Sequence, residues 1–306
     1  DAAAAQRPHR FTIPDLTPPI TMDVTRYPTA REFLAVAEPF LLRAEVENSL
    51  ILGIARELVV DDSGLAVTPY LAVVRDEDDI CVAALRTLRT KLGITRATRN
   101  DALAVLAADV QSVAPTLLGV LGPEPSARIF ADELAVLRGA RTKRTVSQRI
   151  FELREVVAPA SPPPGELRRA RATEAALLAG WISGFLMEVR EVGDSEALVA
   201  ERLRRGQIFV WDDGEPRTMA AWAGKTPRGV RVNFVYTPPE SRGRGYASAC
   251  VAALSQRLLD EGNEFCCLYT DLSNPVSNSI YQKIGYRPVS DAGFYRLVSR
   301  PNRCRV

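Results

Sequence analysis

The sequence has almost no histidine and no cysteine pattern typical of a metal site. One histidine occurs in 306 residues, and the five cysteines form no C-x-x-C pair. These counts argue against a zinc site and against Ser-His or Cys-His nucleophilic catalysis, so we predict that no metal is bound. The odd number of cysteines favours a reducing compartment over a disulfide framework, and we expect a cytoplasmic location.

Long apolar runs and a large charge excess are also absent. The sequence has no apolar run of about eighteen residues, so we expect neither a membrane span nor a membrane partner. Lys and Arg number 39 against 37 Asp and Glu, which leaves a formal charge of +2. Because a nucleic-acid-binding surface needs a basic face, we expect no nucleic-acid partner.

Proline marks the divisions of the chain. The segment "APASPPPG", residues 158–165, favours extended geometry and cannot continue a helix, so we predict a linker there. It separates residues 22–157 from residues 166–306, which we predict to be two domains of similar size. Residues 1–21 hold four prolines and lack the apolar core of a signal peptide, which predicts a disordered lead-in or an expression tag.

Both predicted domains mix strands and helices in a similar order. In the second, strand patterns precede and follow the helix that begins near "RGRGYASAC", and Pro238 and Pro239 end a long strand over 229–237. The first begins with a helical pattern over residues 29–58 and continues with alternating strands and helices. The sequence thus predicts an α/β (α+β) fold, with a mixed central sheet flanked by helices and a tandem duplication.

The segment 242–248, "RGRGYAS", has the composition of an anion-binding loop. A helix N-terminus presents unpaired N–H groups and a partial positive charge, which bind phosphate when the loop permits close approach. Gly243 and Gly245 permit that approach, and Ala247 is also small. Arg242 and Arg244 place further positive charge at the same helix end, which predicts an anion beside them. A plain glycine turn with surface arginines is the alternative interpretation of this segment alone.

A second short helix is predicted over residues 274–285, with Asn274 as its N-cap. Its apolar stripe comprises Val276, Ile280 and Ile284. Asn274, Asn278 and Tyr281 follow at i, i+4 and i+7 on a different face. We therefore predict that the apolar stripe packs in the core and that the polar stripe faces a site.

These two blocks resemble the motifs of the GNAT superfamily of acetyl-CoA-dependent N-acyltransferases. Arg242, Gly245 and Ala247 match its R/Q-x-x-G-x-G/A pattern. The second block, "NPVSNSIYQKIGY", is similar to its N-x-x-A-x-x-L-Y-x-K-x-G-F/Y pattern, with Ser277 where Ala is usual. The resemblance covers residues 166 to about 300. The first domain resembles a GNAT fold only in outline and lacks the cofactor motif, so we expect it to be degenerate.

The resemblance implies a set of site residues and an activity. Acetyl-CoA is the implied cosubstrate, and the acceptor is an amine on a small molecule or a peptide. Tyr281 corresponds to the family's general acid, which protonates the departing thiolate. The implied cofactor-binding residues are Val235, Tyr236, Thr237, Arg242, Gly243, Arg244, Gly245, Tyr246, Ala247, Ser248, Asn274 and Asn278.

Several alternatives remain at this stage. Many relatives place a basic Glu on the strand over 229–237, but no carboxylate occurs between Arg228 and Thr237, which leaves Glu188 and Glu240 as candidates. Because this strand carboxylate is missing, a catalytically weak, acyl-CoA-binding regulatory module remains an alternative function. A dinucleotide-binding unit is a rival, with Asp271 as ribose partner, although only 35 residues follow Asp271. Neither the acceptor nor the oligomeric state follows from the sequence.

Overall fold

The computed structural model describes residues 22–60, 68–87 and 91–299. The predictions for residues 1–21 lie outside these ranges. Within them the chain forms one mixed sheet of twelve strands. The strands are β1 (Asp23–Arg26), β2 (Tyr70–Asp76), β3 (Asp79–Arg86), β4 (Lys91–Ile94), β5 (Gly119–Pro123), β6 (Arg141–Leu153), β7 (Glu166–Arg169), β8 (Ile208–Asp212), β9 (Pro216–Ala223), β10 (Gly229–Tyr236), β11 (Phe265–Asp271) and β12 (Arg287–Val298).

Eight α-helices cover the two faces of the described sheet. They are α1 (Ala30–Leu42), α2 (Ser49–Val60), α3 (Asp101–Val113), α4 (Ser126–Leu137), α5 (Ala175–Glu188), α6 (Ser195–Arg204), α7 (Tyr246–Asp260) and α8 (Pro275–Lys283). None of these helices is long and apolar enough to cross a membrane. The described residues also contain no group of three or more His, Cys, Asp or Glu side chains that could hold a metal ion.

The two halves of the chain exchange their last strands. The strand order is β1-β2-β3-β4-β5-β12-β6-β11-β10-β9-β8-β7. Strand β12, from the second half, pairs with β5 of the first half, and β6, from the first half, pairs with β11 of the second. The two exchanged strands also pair with each other along the centre of the sheet. Each half therefore needs a strand of the other to complete its sheet.

Alternating side chains of the strands build separate cores on the two faces of the sheet, as the period of two in a strand requires. On one face, α1 and α2 cover the first half and α5 and α6 cover the second. On the other face, α3 and α4 cover the first half and α7 and α8 cover the second. The fold is thus a helix–sheet–helix sandwich, and its mixed α/β class agrees with the sequence-based prediction.

Two predicted elements have different boundaries in the structure. The helical pattern over 29–58 is interrupted at residues 43–48, because the buried Asn48 amide donates to the Leu41 carbonyl (3.0 Å) and the buried Glu45 accepts from the Arg228 amide. The segments "YRPV" (286–289) and "AGFYRLVS" (292–299) predict two strands, but the structure has one long strand, β12, with a register shift between Pro288 and Ser290. Pairing with β6 on both sides of this shift holds the strand together.

Residues 154–165 contain no helix or strand and pack against the second half. Val157 donates its amide to Ile284 (3.0 Å), and Trp211 donates its indole N–H to Pro164 (2.9 Å). The division of the chain into domains at this segment stays a prediction, since the halves share one sheet.

Candidate functional site

The sheet opens between two parallel strands in the second half. Strands β10 and β11 pair only over three positions, from Gly229 opposite Phe265 to Arg231 opposite Cys267. Strand β10 continues to Tyr236 and β11 to Asp271 without further pairing between them. The backbone polar groups that would have joined the strands are left facing the gap, where a ligand with amide groups can replace the missing partner.

A bulge in β10 lies beside this gap. The register with β9 shifts between Asn233 and Tyr236, and Phe234 has a φ of +47°. The extra residue changes the side-chain alternation. Val235 packs towards α7, whereas Phe234 and Tyr236 pack against the α5–α6 core. The bulge therefore turns a tyrosine towards the end of α5.

The loop before α7 presents unused backbone donors. Gly243 and Gly245 both have positive φ, +76° and +82°, and Gly245 is the N-cap of the helix. Side-chain atoms do not block Gly243, since a Cβ added there would meet nothing within 4 Å. Among the described residues, none accepts a hydrogen bond from the amides of residues 243–248. These six amides converge with the positive end of the helix dipole, which suits an anion.

The loop and the gap belong to one cavity of about 480 Å³. Its walls come from the end of α5, the end of β10, the loop before α7, and α8. It is lined by Glu188, Val235, Tyr236, Thr237, Ser241, Arg242, Gly243, Gly245, Tyr246, Ala247, Ser248, Asn274, Val276, Ser277, Ile280 and Tyr281. We call this cavity the cleft.

The structure brings most of the predicted site residues into the cleft, but not Arg244 or Asn278. Arg244 is exposed and does not line the cleft. Asn278 turns back to its own helix start, donating to the carbonyls of Asp271 (3.1 Å) and Asn274 (2.8 Å). The prediction that the whole polar stripe of α8 faces a site was therefore wrong at Asn278.

The apolar stripe of α8 also departs from expectation. Val276 is 67% exposed and lines the cleft together with Ile280, and of the stripe only Ile284 is fully buried. Helix α8 is short and lies over the edge of its core, so its first turn projects beyond the sheet. Asn274 does cap the helix, its side-chain oxygen accepting from the Ser277 amide at 3.1 Å. Ser277 and Ile280 also line the cleft. The sequence did not predict this, because Ile280 belongs to the apolar stripe and Ser277 to neither stripe.

Arg242 is bound by the protein itself. One guanidinium nitrogen donates to Glu188 at the end of α5 (2.5 Å), and Nε donates to the Thr237 carbonyl (2.8 Å). The guanidinium also lies over the Tyr236 ring, 5.7 Å from its centroid. The hydrogen bond to Glu188 raises the pKa of Arg242. The sequence predicted an anion beside Arg242, and in the structure the Glu188 carboxylate is one such anion.

Tyr281 combines burial with contact to the cleft. Its residue exposure is 8%, and its ring meets the Tyr286 ring edge-to-face at 5.9 Å. Burial raises the pKa of its phenol well above the ordinary value. The raised pKa keeps the phenol protonated at neutral pH, which a proton donor requires.

The comparisons with known proteins agree with this architecture. A model of the FR47-like protein family matches residues 211–294, which include the cleft loop and α8. A solved Drosophila protein is 16% identical with a TM-score of 0.63, over 90% of this chain and 98% of that chain. A GCN5-related N-acetyltransferase from Sphaerobacter thermophilus is 16% identical with a TM-score of 0.56, over 95% and 98%.

A third structure bears on the duplication. A tandem GNAT protein from the clavulanic acid biosynthesis pathway is 15% identical with a TM-score of 0.56, over 92% of this chain and 99% of that chain. The chain has the GNAT fold. The likeness extends over both halves of the chain, as the predicted tandem arrangement requires. The comparison with curated proteins finds no match.

The first half of this GNAT fold differs from the second at the loop before α3, which corresponds to the loop before α7. Its loop before α3 uses its amides internally: Thr95 donates to Ala83, Ala97 to the Ser126 hydroxyl and Thr98 to Cys81. The Arg96 guanidinium also bridges to the Glu124 carbonyl at 2.7 Å. Three amides just before α3, those of residues 95, 97 and 98, are thus engaged within the protein, and this loop also lacks the glycine motif.

The rival dinucleotide interpretation has little support in the geometry. The Asp271 carboxylate accepts from the Ser273 amide (2.8 Å) and hydroxyl (2.7 Å), so it closes a local turn instead of facing a ribose. Of the two candidate bases, Glu188 lines the cleft and Glu240 does not.

Proposed function

We propose that the second half binds acetyl-CoA in the cleft and transfers its acetyl group to an amine, which makes the protein an N-acetyltransferase. The observation that carries this proposal is one cavity, lined by five residues of the loop 243–248, whose amides have no acceptor among the described residues, and by the end of β10 beside the open gap. The diphosphate of coenzyme A requires the loop amides, and its amide-containing pantetheine arm requires the open gap after β10.

The residues present fit coenzyme A. Backbone amides at Gly243, Gly245 and Ser248 would bind the pyrophosphate, since these residues line the cleft and their amides have no acceptor among the described residues. Val235 and Thr237, at the open end of β10, would pair with the amides of the pantetheine arm. Arg242 would add charge, but its pairing with Glu188 gives it a second role in holding α5 against the loop.

The chemistry required of the protein is limited. Acetyl-CoA supplies an activated acetyl group as a thioester, so that a C–N bond forms to the amine as the C–S bond breaks. Tyr281 would give its proton to the sulfur that leaves, and the amine would lose its proton to a base or to water. A backbone N–H at the end of β10 would stabilise the oxyanion that forms on the carbonyl oxygen.

A catalytically weak, acyl-CoA-binding module is the second candidate function. Its support is that no carboxylate faces the gap from β10 and that the cleft carboxylate, Glu188, is paired with Arg242. Such a module would bind the cofactor as the enzyme does and would differ only in turnover.

Calorimetry with coenzyme A and acetyl-CoA tests the binding step, and thiol release with a panel of amines tests transfer. We expect binding that weakens at least tenfold in R242E/R244E, because the double charge reversal replaces two positive charges on this loop, one of them in the cleft, with negative ones. Arg287→Glu, an exposed position on β12 outside the cleft, is the control for a changed charge.

The possible results separate the candidates. Binding with amine-dependent thiol release supports the acetyltransferase, and binding without release by any amine supports the binding module. A nicotinamide dinucleotide that binds without competition from coenzyme A would reinstate the rival. If neither cofactor binds, the proposed function is wrong.

A further inference from the structure

Strand β10 carries an arginine that has no charge partner in the described part of the chain. Arg231 forms no ion pair or hydrogen bond among these residues, and its Nη1 atom is fully buried without an acceptor. Gly224 leaves room for it: an added Cβ there would lie 3.2 Å from one terminal nitrogen of the Arg231 guanidinium. A buried donor without a partner is costly, so its retention calls for an explanation.

A second unpartnered atom lies two residues further along the same strand. The side-chain oxygen of Asn233 is buried and accepts no hydrogen bond from the described residues. Residues at i and i+2 share one face of a strand and stand about 7 Å apart. Here that face is the one covered by α5 and α6. The strand therefore offers a free donor and a free acceptor side by side.

The surroundings of Arg231 carry excess positive charge. Burial lowers the pKa of Arg202, and the nearby charge of Arg231 lowers it further, whereas Glu57 raises it. The Glu57 carboxylate is itself engaged, accepting from the Gly224 amide at 2.9 Å. Around Arg202 the groups Arg205 and Arg231 face two carboxylates, Glu57 and Glu201. Both carboxylates are already engaged, Glu57 by the Gly224 amide and Glu201 by Arg205, which leaves this region suited to an additional anion.

The position along the sheet connects this pair to the cleft. Arg231 stands at the last pairing of β10 with β11, and Asn233 is just beyond it, where the strands have separated. Val235 and Tyr236, on the same strand, line the cleft. The cofactor loop belongs to the α7 face, whereas Arg231 and Asn233 belong to the opposite face. An acceptor reaching the gap from that opposite face would pass both side chains.

We infer that the acceptor is an amine carrying an anionic group, such as the carboxylate of an amino acid, with Arg231 binding the anion and Asn233 accepting a hydrogen bond from the amine. This inference rests on the proposed function, because it names the second substrate of the same site. It assigns Arg231 as a specificity-determining residue, contributed by the strand that also holds the cofactor.

Matched acceptor pairs test the inference. We would measure kcat/KM for L-alanine against L-alaninamide and for β-alanine against β-alaninamide, each corrected to the unprotonated amine. Because a hydrogen bond to a charged group is stronger than one between neutral groups, the wild type should prefer the acid at least tenfold. R231Q should lose that preference while its acetyl-CoA affinity stays within twofold, and R231K should retain part of it. R287Q, a remote loss of the same charge, should keep the wild-type ratio.

The outcomes distinguish this inference from the proposed function. Equal use of acid and amide by the wild type, or an unchanged preference in R231Q, overturns the inference and leaves the acetyltransferase standing. If acetyl-CoA does not bind, the function fails, and the anion site is then tested with β-alanine alone. A rise in melting temperature with β-alanine in the wild type but not in R231Q supports the site. The same response in both proteins, or none in either, overturns it.

Discussion

Glu188, the last residue of α5, forms an ion pair with Arg242, in the loop before α7, with 2.5 Å between the carboxylate oxygen and the guanidinium nitrogen. Both side chains are about half exposed, at 53% and 47%. The ion pair therefore contributes little to stability by itself, since exposed pairs give about 0.2–1 kcal/mol. Its importance is positional, because it joins the two walls of the cleft.

Replacing Glu188 tests whether it acts as a base or as an electrostatic neighbour of the cofactor. We expect E188Q to tighten coenzyme A binding by about two- to fivefold in calorimetry, because it removes a negative charge from an anion site. Turnover should change by less than threefold. The control E240Q removes an exposed carboxylate outside the cleft and should change neither value. A loss of turnover above a hundredfold in E188Q with unchanged affinity would instead identify Glu188 as the base.

Two glycines with similar positive φ allow the effect of a substitution on folding to be separated from its effect on binding. Gly243 and Gly262 have φ of +76° and +92°, and an added Cβ at either meets nothing within 4 Å. Alanine at each should cost about 1–2 kcal/mol of unfolding free energy, measured by urea denaturation, because the left-handed region disfavours a side chain. Only G243A should also weaken coenzyme A binding, by about tenfold through disturbed amide donors. Equal affinities in the two variants would contradict the assignment of the loop.

The Tyr281 hydroxyl should be required for turnover and not for cofactor binding. We expect Y281F to lower kcat by about 10²–10⁴, the usual range for a general acid, with acetyl-CoA affinity unchanged within twofold. Tyr286 is the matched control: its hydroxyl is bonded to Ser255 at 2.9 Å, so Y286F should cost about 1 kcal/mol of stability and leave kcat unchanged.

The pH profile gives a separate check on Tyr281. Burial raises the pKa of this phenol, so the protonated form persists to higher pH than for a free tyrosine. Activity that requires this proton is therefore present below the raised pKa and is lost as the pH rises above it. The kcat profile should therefore show no alkaline decline below about pH 10, the ordinary tyrosine value. An alkaline limb near pH 8 that disappears in Y281F would contradict the burial argument.

The helix α5 contains a further matched pair of glycines. A Cβ at Gly184 would lie 2.5 Å from the Tyr236 hydroxyl, whereas one at Gly180 would meet nothing within 4 Å. We expect G180A to stabilise the protein by about 0.5–1 kcal/mol, since alanine favours the helix. G184A should destabilise it by about 1–3 kcal/mol and raise the KM for the acceptor by displacing Tyr236 from the cleft wall. We would measure stability by thermal unfolding and the acceptor KM by steady-state kinetics. Equal values in G180A and G184A would contradict a role of Tyr236 in the cleft wall.

The sequence by itself determined the local parts of this protein. Gly243 and Gly245 predicted a loop of positive φ before a helix, and Asn274 predicted a cap, because both depend on backbone geometry within a few residues. The mixed fold and its duplication also followed from element order and from motif resemblance, and the solved structures share that architecture.

Only the tertiary structure decided what these parts face. It paired Arg242 with Glu188, which is 54 residues away, turned Asn278 back onto its own helix, and exchanged β6 and β12 between the halves. Among the described residues it also left the Arg231 Nη1 atom and the Asn233 side-chain oxygen without hydrogen-bond partners. Local spacing carries no information on these relations, because ion pairs and strand exchange depend on which distant segments the sheet brings together.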